Sequence, residues 1–309
     1  MREEAITFGE SGRLVGIITD PPERLEKRPG LAVILLNAGI VHRTGPARIY
    51  VKIARELAAV GCTTLRFDFS GIGDSPVRQD SVPFERSAVQ ETQNAMDFLR
   101  VKRGIDRFIL LGGCSGAYLS LQTACCDPRV AGAILINFAI TIYGADTAER
   151  KALHYYYNFA LFSIQSWRNL LRGGADYLKI LRALRFQFMR KISSPQQIGP
   201  EESAMLTNLR LLIDRGVRVA FVCSEGDTRL GDLRAAGGDE LKQFCSTGKV
   251  GLDIIPRSDH NFSSLRDHER LLRVVHERVN QMCSATTQLD ECSIADRVPT
   301  ASVKLHALS

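Results

Sequence analysis

Short apolar-rich segments at 31–36, 63–67, 108–111, 130–137, 218–223 and 249–255 recur along the chain, each ending at Gly, Asn, Asp, Ser or Pro. Runs of this length bounded by turn residues predict strands covered on both faces of a sheet. Residues 5–8 and 14–19 form two further strand segments around Gly9-Glu10-Ser11-Gly12, the pattern of a hairpin. Helical periodicity over 51–59, 85–101 and 266–282, and over the stretch that ends near Cys126, fills intervals between the strands. Alternation at this spacing predicts an α/β fold, a mostly parallel eight-stranded sheet flanked by helices.

Between 138 and 208 the pattern changes. Segments such as His154-Tyr155-Tyr156-Tyr157-Asn158-Phe159 and Trp167-Arg168-Asn169-Leu170-Leu171-Arg172 are helical, aromatic and basic, without a strand signal. They are expected to form a helical lid inserted over the sheet's carboxyl edge, between core segments 1–137 and 209–283. Residues 284–309 are polar and aperiodic and are expected to be a disordered tail.

One strand end differs from the others. Phe108-Ile109-Leu110-Leu111 runs directly into Gly112-Gly113-Cys114-Ser115-Gly116-Ala117, a passage of small residues between strand and helix. A turn of the form Gly-x-nucleophile-x-Gly is the elbow that holds a nucleophile above the sheet in α/β-hydrolases. Two frames are open here. One centres Cys114 between Gly112 and Gly116; the other centres Ser115, with Gly113 before it and Ala117 after it.

Partners for either nucleophile occur in the chain order such enzymes use, acid before histidine. Strand 218–223 leads to Ser224-Glu225-Gly226-Asp227, and strand 249–255 leads to Pro256-Arg257-Ser258-Asp259-His260. His260 would take the nucleophile's proton and return it to the leaving group, while Asp227 would orient the ring and stabilise the imidazolium. Asp232 and the histidines His42, His154, His268, His276 and His306 are weaker candidates, because none closes a late strand as Asp227 and His260 do. The oxyanion of an acyl group needs N–H donors. The residue after the nucleophile, Ser115 or Gly116, would supply one, and Gly39 in the loop Asn37-Ala38-Gly39-Ile40 is expected to supply the other.

Composition excludes several classes. With 309 residues, 45% apolar and 24% charged, the chain can bury a large core of ordinary globular type. The net charge of +6 is spread along the sequence, so no nucleic-acid partner is expected. Eight cysteines without a C-x-x-C pair argue against a zinc site or a disulfide framework, and neither a metal nor an organic cofactor is expected. The opening Met1-Arg2-Glu3-Glu4-Ala5 lacks the apolar run of a signal peptide, and no segment has the length of a membrane span. A cytoplasmic location is therefore expected, and oligomeric state is not legible.

The loop Leu36-Asn37-Ala38-Gly39 with Gly45-Pro46, Arg66-Phe67-Asp68 leading to Gly71-Ile72-Gly73-Asp74-Ser75, the Gly-x-Cys-Ser-Gly-Ala elbow and Trp167-Arg168-Asn169-Leu170-Leu171 carry a resemblance. Over roughly residues 5 to 282 the chain resembles the serine-aminopeptidase-like group of α/β-hydrolases, and in particular bacterial hydrolases associated with exosortase systems. The resemblance implies the α/β-hydrolase fold and favours Cys114, since the common family pattern sets its nucleophile between two glycines directly after the strand. It implies cleavage of a small-molecule ester or thioester through a covalent acyl-enzyme. A cysteine at the elbow is also similar to dienelactone hydrolases and to acyltransferases such as polyester synthases. Transfer of the acyl group to an amine or alcohol therefore stays open, as does a non-catalytic binding role on the same fold. The basic lid and its surroundings suggest an acyl group with an anionic part, met by Arg43, Arg48 or Arg168.

Overall fold

Every side chain of the strand Leu31–Leu36 (β3) is buried, as is every one of Thr63–Phe67 (β4), so this part of the sheet must be covered on both faces. The computed structural model of the chain describes residues 1–23, 25, 30–140 and 200–295, with the side chains of 11, 200–203 and 285–295 left aside. The remaining strands are Arg2–Phe8 (β1), Leu14–Asp20 (β2), Arg107–Gly113 (β5), Val130–Ile136 (β6), Arg218–Ser224 (β7) and Val250–Ile255 (β8). They form one eight-stranded sheet in the order β1-β2-β4-β3-β5-β6-β7-β8. β2 runs antiparallel to β1 and β4, and every other neighbouring pair is parallel.

Helices cover the sheet according to the facing of its side chains. Ile53 and Leu57 of α1 (Ile49–Ala59) and Leu271, Val275 and Val279 of α6 (Leu265–Ala295) pack on one face with Val33, Leu35, Ile109, Leu111, Ile134 and Val222. Elsewhere Phe8 meets Phe67 and Phe98, Phe67 meets Phe69, and Phe69 meets Phe84, mostly edge to face, with Phe84 and Phe98 supplied by α2 (Phe84–Arg103). α3 (Ser115–Cys126) lies along β5 and β6 and against α2. Two further helices, α4 (Pro200–Asp214) and α5 (Thr228–Ser246), precede and follow β7 along the chain, and α4 buries Met205, Leu206, Leu209 and Leu212. No described helix is long and apolar enough to cross a membrane.

The expected strands are present, with two departures among the helices. No helix is expected from sequence between 224 and 249, yet α5 occupies most of that interval. Its apolar positions, Leu230, Leu233, Ala236 and Leu241, are interrupted by Gly231, Gly237 and Gly238, and Gly238 breaks the helix at φ 50°. The glycines hid the period. The closing helix is expected to stop at 282 and the tail to begin at 284, whereas α6 continues to Ala295. That extension is polar but contains neither Gly nor Pro, so nothing in it stops a helix already nucleated by buried Leu271, Val275 and Val279. Most of the expected lid, residues 141–199, and the tail beyond 295 lie outside the described residues. α4 runs through the expected 208/209 boundary.

The tightest approach of elements is at the end of β5, where a Cβ on Gly112 would lie 2.2 Å from the carbonyl carbon of Gly116. Gly112→Ala should therefore lower unfolding free energy by about 3 kcal/mol in urea titration, since the clash is with backbone on both sides. Gly231→Ala, which meets nothing within 4 Å on α5, should leave stability equal or slightly higher. An unchanged midpoint for Gly112→Ala would contradict the packing described.

Candidate active site

Cys114 sits between β5 and α3 with φ 55° and ψ −116°, a backbone region that non-glycine residues rarely adopt. Its N–H donates to the carbonyl of Ile136 at 2.9 Å, so β6 fixes the turn from the side. The chain can double back this sharply because its flanks lack side chains. Gly112 and Gly116 face each other, and a Cβ on Gly116 would also lie 2.4 Å from the carbonyl oxygen of Asn37. These are the two glycines of the Cys114-centred frame. The Gly113 N–H donates to the buried Tyr50 hydroxyl at 2.8 Å.

Asp227 and His260 reach this turn from the two strands beyond β6. β7 and β8 are in parallel register, Ser224 beside Ile255, and the loops that leave them are laced together. Gly226 N–H donates to the Ser258 carbonyl at 3.0 Å, and Arg257 N–H donates to Glu225 Oε2 at 2.8 Å. Asp227 caps the N-terminus of α5, accepting from the Arg229 N–H at 3.1 Å, and its Oδ2 lies 2.6 Å from His260 Nδ1. The ring hydrogen-bonds in turn to the Cys114 thiol. Asp232, the rival acid, is exposed on α5. Among the rival histidines, His268 lies within α6 with Lys52 Nζ 2.7 Å from its Nδ1.

The electrostatics of the three groups are coupled. Burial opposes ionisation of the Cys114 thiol, but the hydrogen bond from His260, the charges of Arg229 and His260 and the Ser115 N–H outweigh it and hold the thiol below its usual range. Burial likewise works against a charged His260, yet Asp227 and Cys114 together push the ring up to about 9. Asp227 is held below the ordinary carboxylate range despite its burial, by His260 and by the Arg229 N–H. The shifts of both groups favour a thiolate beside an imidazolium.

Ser115, the other candidate, turns elsewhere. Its Oγ accepts the Gly39 N–H at 2.8 Å, which ties α3 to the loop after β3. Gly39 is exposed at φ 60°, and its donor is engaged with that hydroxyl. Asn37 braces the same loop, donating to the Val41 carbonyl at 3.0 Å and accepting the Phe69 N–H at 2.9 Å. Arg43 is taken up structurally: its guanidinium pairs with Asp68 and with Asp74, and its own N–H donates to Asp68. Together with His42, Thr44 and Arg66 it lines a cavity of about 380 Å³ to which neither Cys114 nor His260 contributes. Arg48 lies before α1 in a left-handed conformation, and Arg168 is outside the described residues. Among the described residues, no three His, Cys, Asp or Glu side chains gather as metal ligands would.

Two residues of the site escape the sequence reading. Asn137, directly after β6 at φ 44°, accepts from Ser224 N–H at 2.8 Å and donates to the His260 carbonyl at 2.9 Å, fastening the histidine loop to β7. An Asn closing an apolar strand signals only a turn, and nothing in one sequence points to its clamp. Arg229 Nη1 lies 2.9 Å from Nδ1 and 3.2 Å from Nε2 of His260. It falls in the helix that the sequence pattern concealed.

Comparison with known proteins agrees with this architecture. Residues 32–168 match the family model described as serine aminopeptidase, S33, a span that holds the elbow but not Asp227 or His260. No curated protein matches the chain. Among solved structures, the chain is similar to an α/β serine hydrolase without a lid from Xanthomonas campestris, with TM-score 0.52 and 16% identity over 90% of this chain and 94% of that one. Proline iminopeptidase from Mycobacterium smegmatis gives TM-score 0.53 and 19% identity over 92% of this chain and 100% of that one. An α/β serine hydrolase homologue from Coxiella burnetii gives 0.52 and 15%, over 90% and 96%. The chain thus has the α/β-hydrolase fold, and its residues 32–168 are similar to the serine aminopeptidase family.

Proposed function

We propose that this protein is a hydrolase that cleaves an ester or thioester through an acyl-enzyme on Cys114, with His260 as acid and base and Asp227 as the group that orients it. The observation that carries the reading is the unbroken chain of contacts from a strained elbow thiol to His260 and on to Asp227. The similar structures named as serine hydrolases support hydrolytic chemistry on this fold. They say nothing of its substrate.

In the first half-reaction the Cys114 thiolate adds to the acyl carbonyl. The oxyanion develops near the N–H of Ser115 at the start of α3, where a helix N-terminus favours negative charge. Collapse breaks the bond to the alkoxide or thiolate leaving group, which takes the proton of the His260 imidazolium. Water then enters. His260 removes one of its protons as the oxygen adds to the thioester carbon, and collapse releases the carboxylic acid, the Cys114 thiolate and the recharged imidazolium. Asp227 stays ionised throughout. Ser115 serves by its N–H, while its hydroxyl holds the Gly39 loop.

Two measurements test this reading. On an activated ester, Cys114→Ala and His260→Ala should each lower kcat at least about a thousandfold, while Ser115→Ala should keep turnover within about tenfold. Loss of turnover in Ser115→Ala alone would overturn the assignment. The ultraviolet thiolate absorbance that Cys114→Ala removes should persist below about pH 8.5, the ordinary thiol midpoint. In His260→Ala it should move upward, because the variant loses both the hydrogen bond and the positive charge that hold the thiol down. A titration unaffected by His260→Ala would contradict the thiolate–imidazolium pair.

A further inference from the structure

Arg229 occupies an unusual position for a cation. It follows the Asp227 cap in the first turn of α5, and its guanidinium rests on His260, with Nη1 nearly equidistant from both ring nitrogens. These contacts do not satisfy it. His260 Nδ1 is directed at Asp227 at 2.6 Å, and a charged ring has a proton on each nitrogen, so neither offers a lone pair to the guanidinium. Asp227 Oδ2 is engaged with the histidine and lies 3.5 Å from Nη1. A guanidinium against a ring that itself carries charge opposes that charge, and among the described residues a single carboxylate, Asp227, pairs with both cations.

The side chain remains 32% exposed, at the carboxyl edge of the sheet where the nucleophile also sits. Arg43, one of the arginines that the sequence suggests for an anionic substrate, is by contrast held between Asp68 and Asp74 and lines a cavity to which Cys114 does not contribute. Planar guanidinium groups bind carboxylate and phosphate through paired donors, and they do so best where water is partly excluded.

We propose that Arg229 docks a carboxylate or phosphate group carried on the acyl part of the substrate, so that the enzyme selects anionic acyl compounds over neutral ones of the same shape. This rests on the reading of Cys114 as the nucleophile. An anion that pairs with Arg229 draws the guanidinium off the histidine ring, and the same contact sets the acyl carbonyl within reach of the thiolate. Arg229 is thus a specificity residue, and its binding partner is part of the substrate.

Alkylation of Cys114 tests this without any ester. Iodoacetate and iodoacetamide both react by displacement of iodide by the thiolate and differ in one carboxylate. Rates at Cys114 are followed by peptide mass in the full-length protein. The ratio of the iodoacetate rate to the iodoacetamide rate should fall about tenfold in Arg229→Gln and be largely retained in Arg229→Lys, as expected for loss of a charge-assisted hydrogen bond. Any change in the amount of thiolate affects both reagents equally, so the ratio reports the charge at the docking position. A ratio that Arg229→Gln leaves unchanged overturns the proposal, even if esters are hydrolysed. A ratio that falls as stated supports it, even if no ester is turned over, and in that case the hydrolase reading alone is lost.

Discussion

The site depends on one steric constraint, the near-contact of two backbones at the end of β5. Gly112 and Gly116 lie so close that neither tolerates a Cβ, and Gly116 also abuts the carbonyl oxygens of Leu36 and Asn37 at the end of β3. Between those glycines the chain has room to reverse only if the intervening residue takes a positive φ, and Cys114 does so at 55°. Strain of that kind persists only where surrounding structure over-determines it. Here the Ile136 carbonyl, the Tyr50 hydroxyl and the bond between Gly39 and Ser115 all hold the turn. The result is a thiol lifted clear of the sheet at the start of a helix.

Charge follows from that placement. A thiol at a helix N-terminus beside a histidine is easily ionised, and the histidine is easily charged because a buried carboxylate stands behind it. The laced β7 and β8 loops keep Asp227 and His260 together, and Asn137 fastens the histidine loop to β7 from the neighbouring strand end. Four strand ends, those of β5, β6, β7 and β8, thus converge on one group of atoms. This is the usual location of function in open parallel sheets, at the carboxyl edge.

Much of this could be read from residue order because the physical signals were local. A covered strand shows as a short apolar run, and an elbow shows as glycines spaced around a nucleophile, so the eight strands and the Gly112-x-Cys114-x-Gly116 frame were visible. Asp227 and His260 were visible as polar residues just past strand ends. Signals that depend on packing were not. Three glycines disguised α5, and with it Arg229; the continuation of α6 reads as a tail because its large apolar residues, Leu289 and Ile294, are too few to show a helical period. Arg43 stood out as an exposed-looking loop arginine, whereas its ion pairs with Asp68 and Asp74 arise from a loop distant in sequence. Asn137 carries its bonds across two strands, which no local pattern records.

The central claim is that the acyl group is carried on the elbow thiol. Rapid acid quenching of the protein with an activated ester, followed by intact mass and peptide mapping, tests it most directly. One acyl group per chain is expected on Cys114, held as a thioester that neutral hydroxylamine removes, with no adduct in Cys114→Ala. An acyl group mapped to Ser115, or turnover by Cys114→Ala at the rate of the unaltered protein, would contradict it.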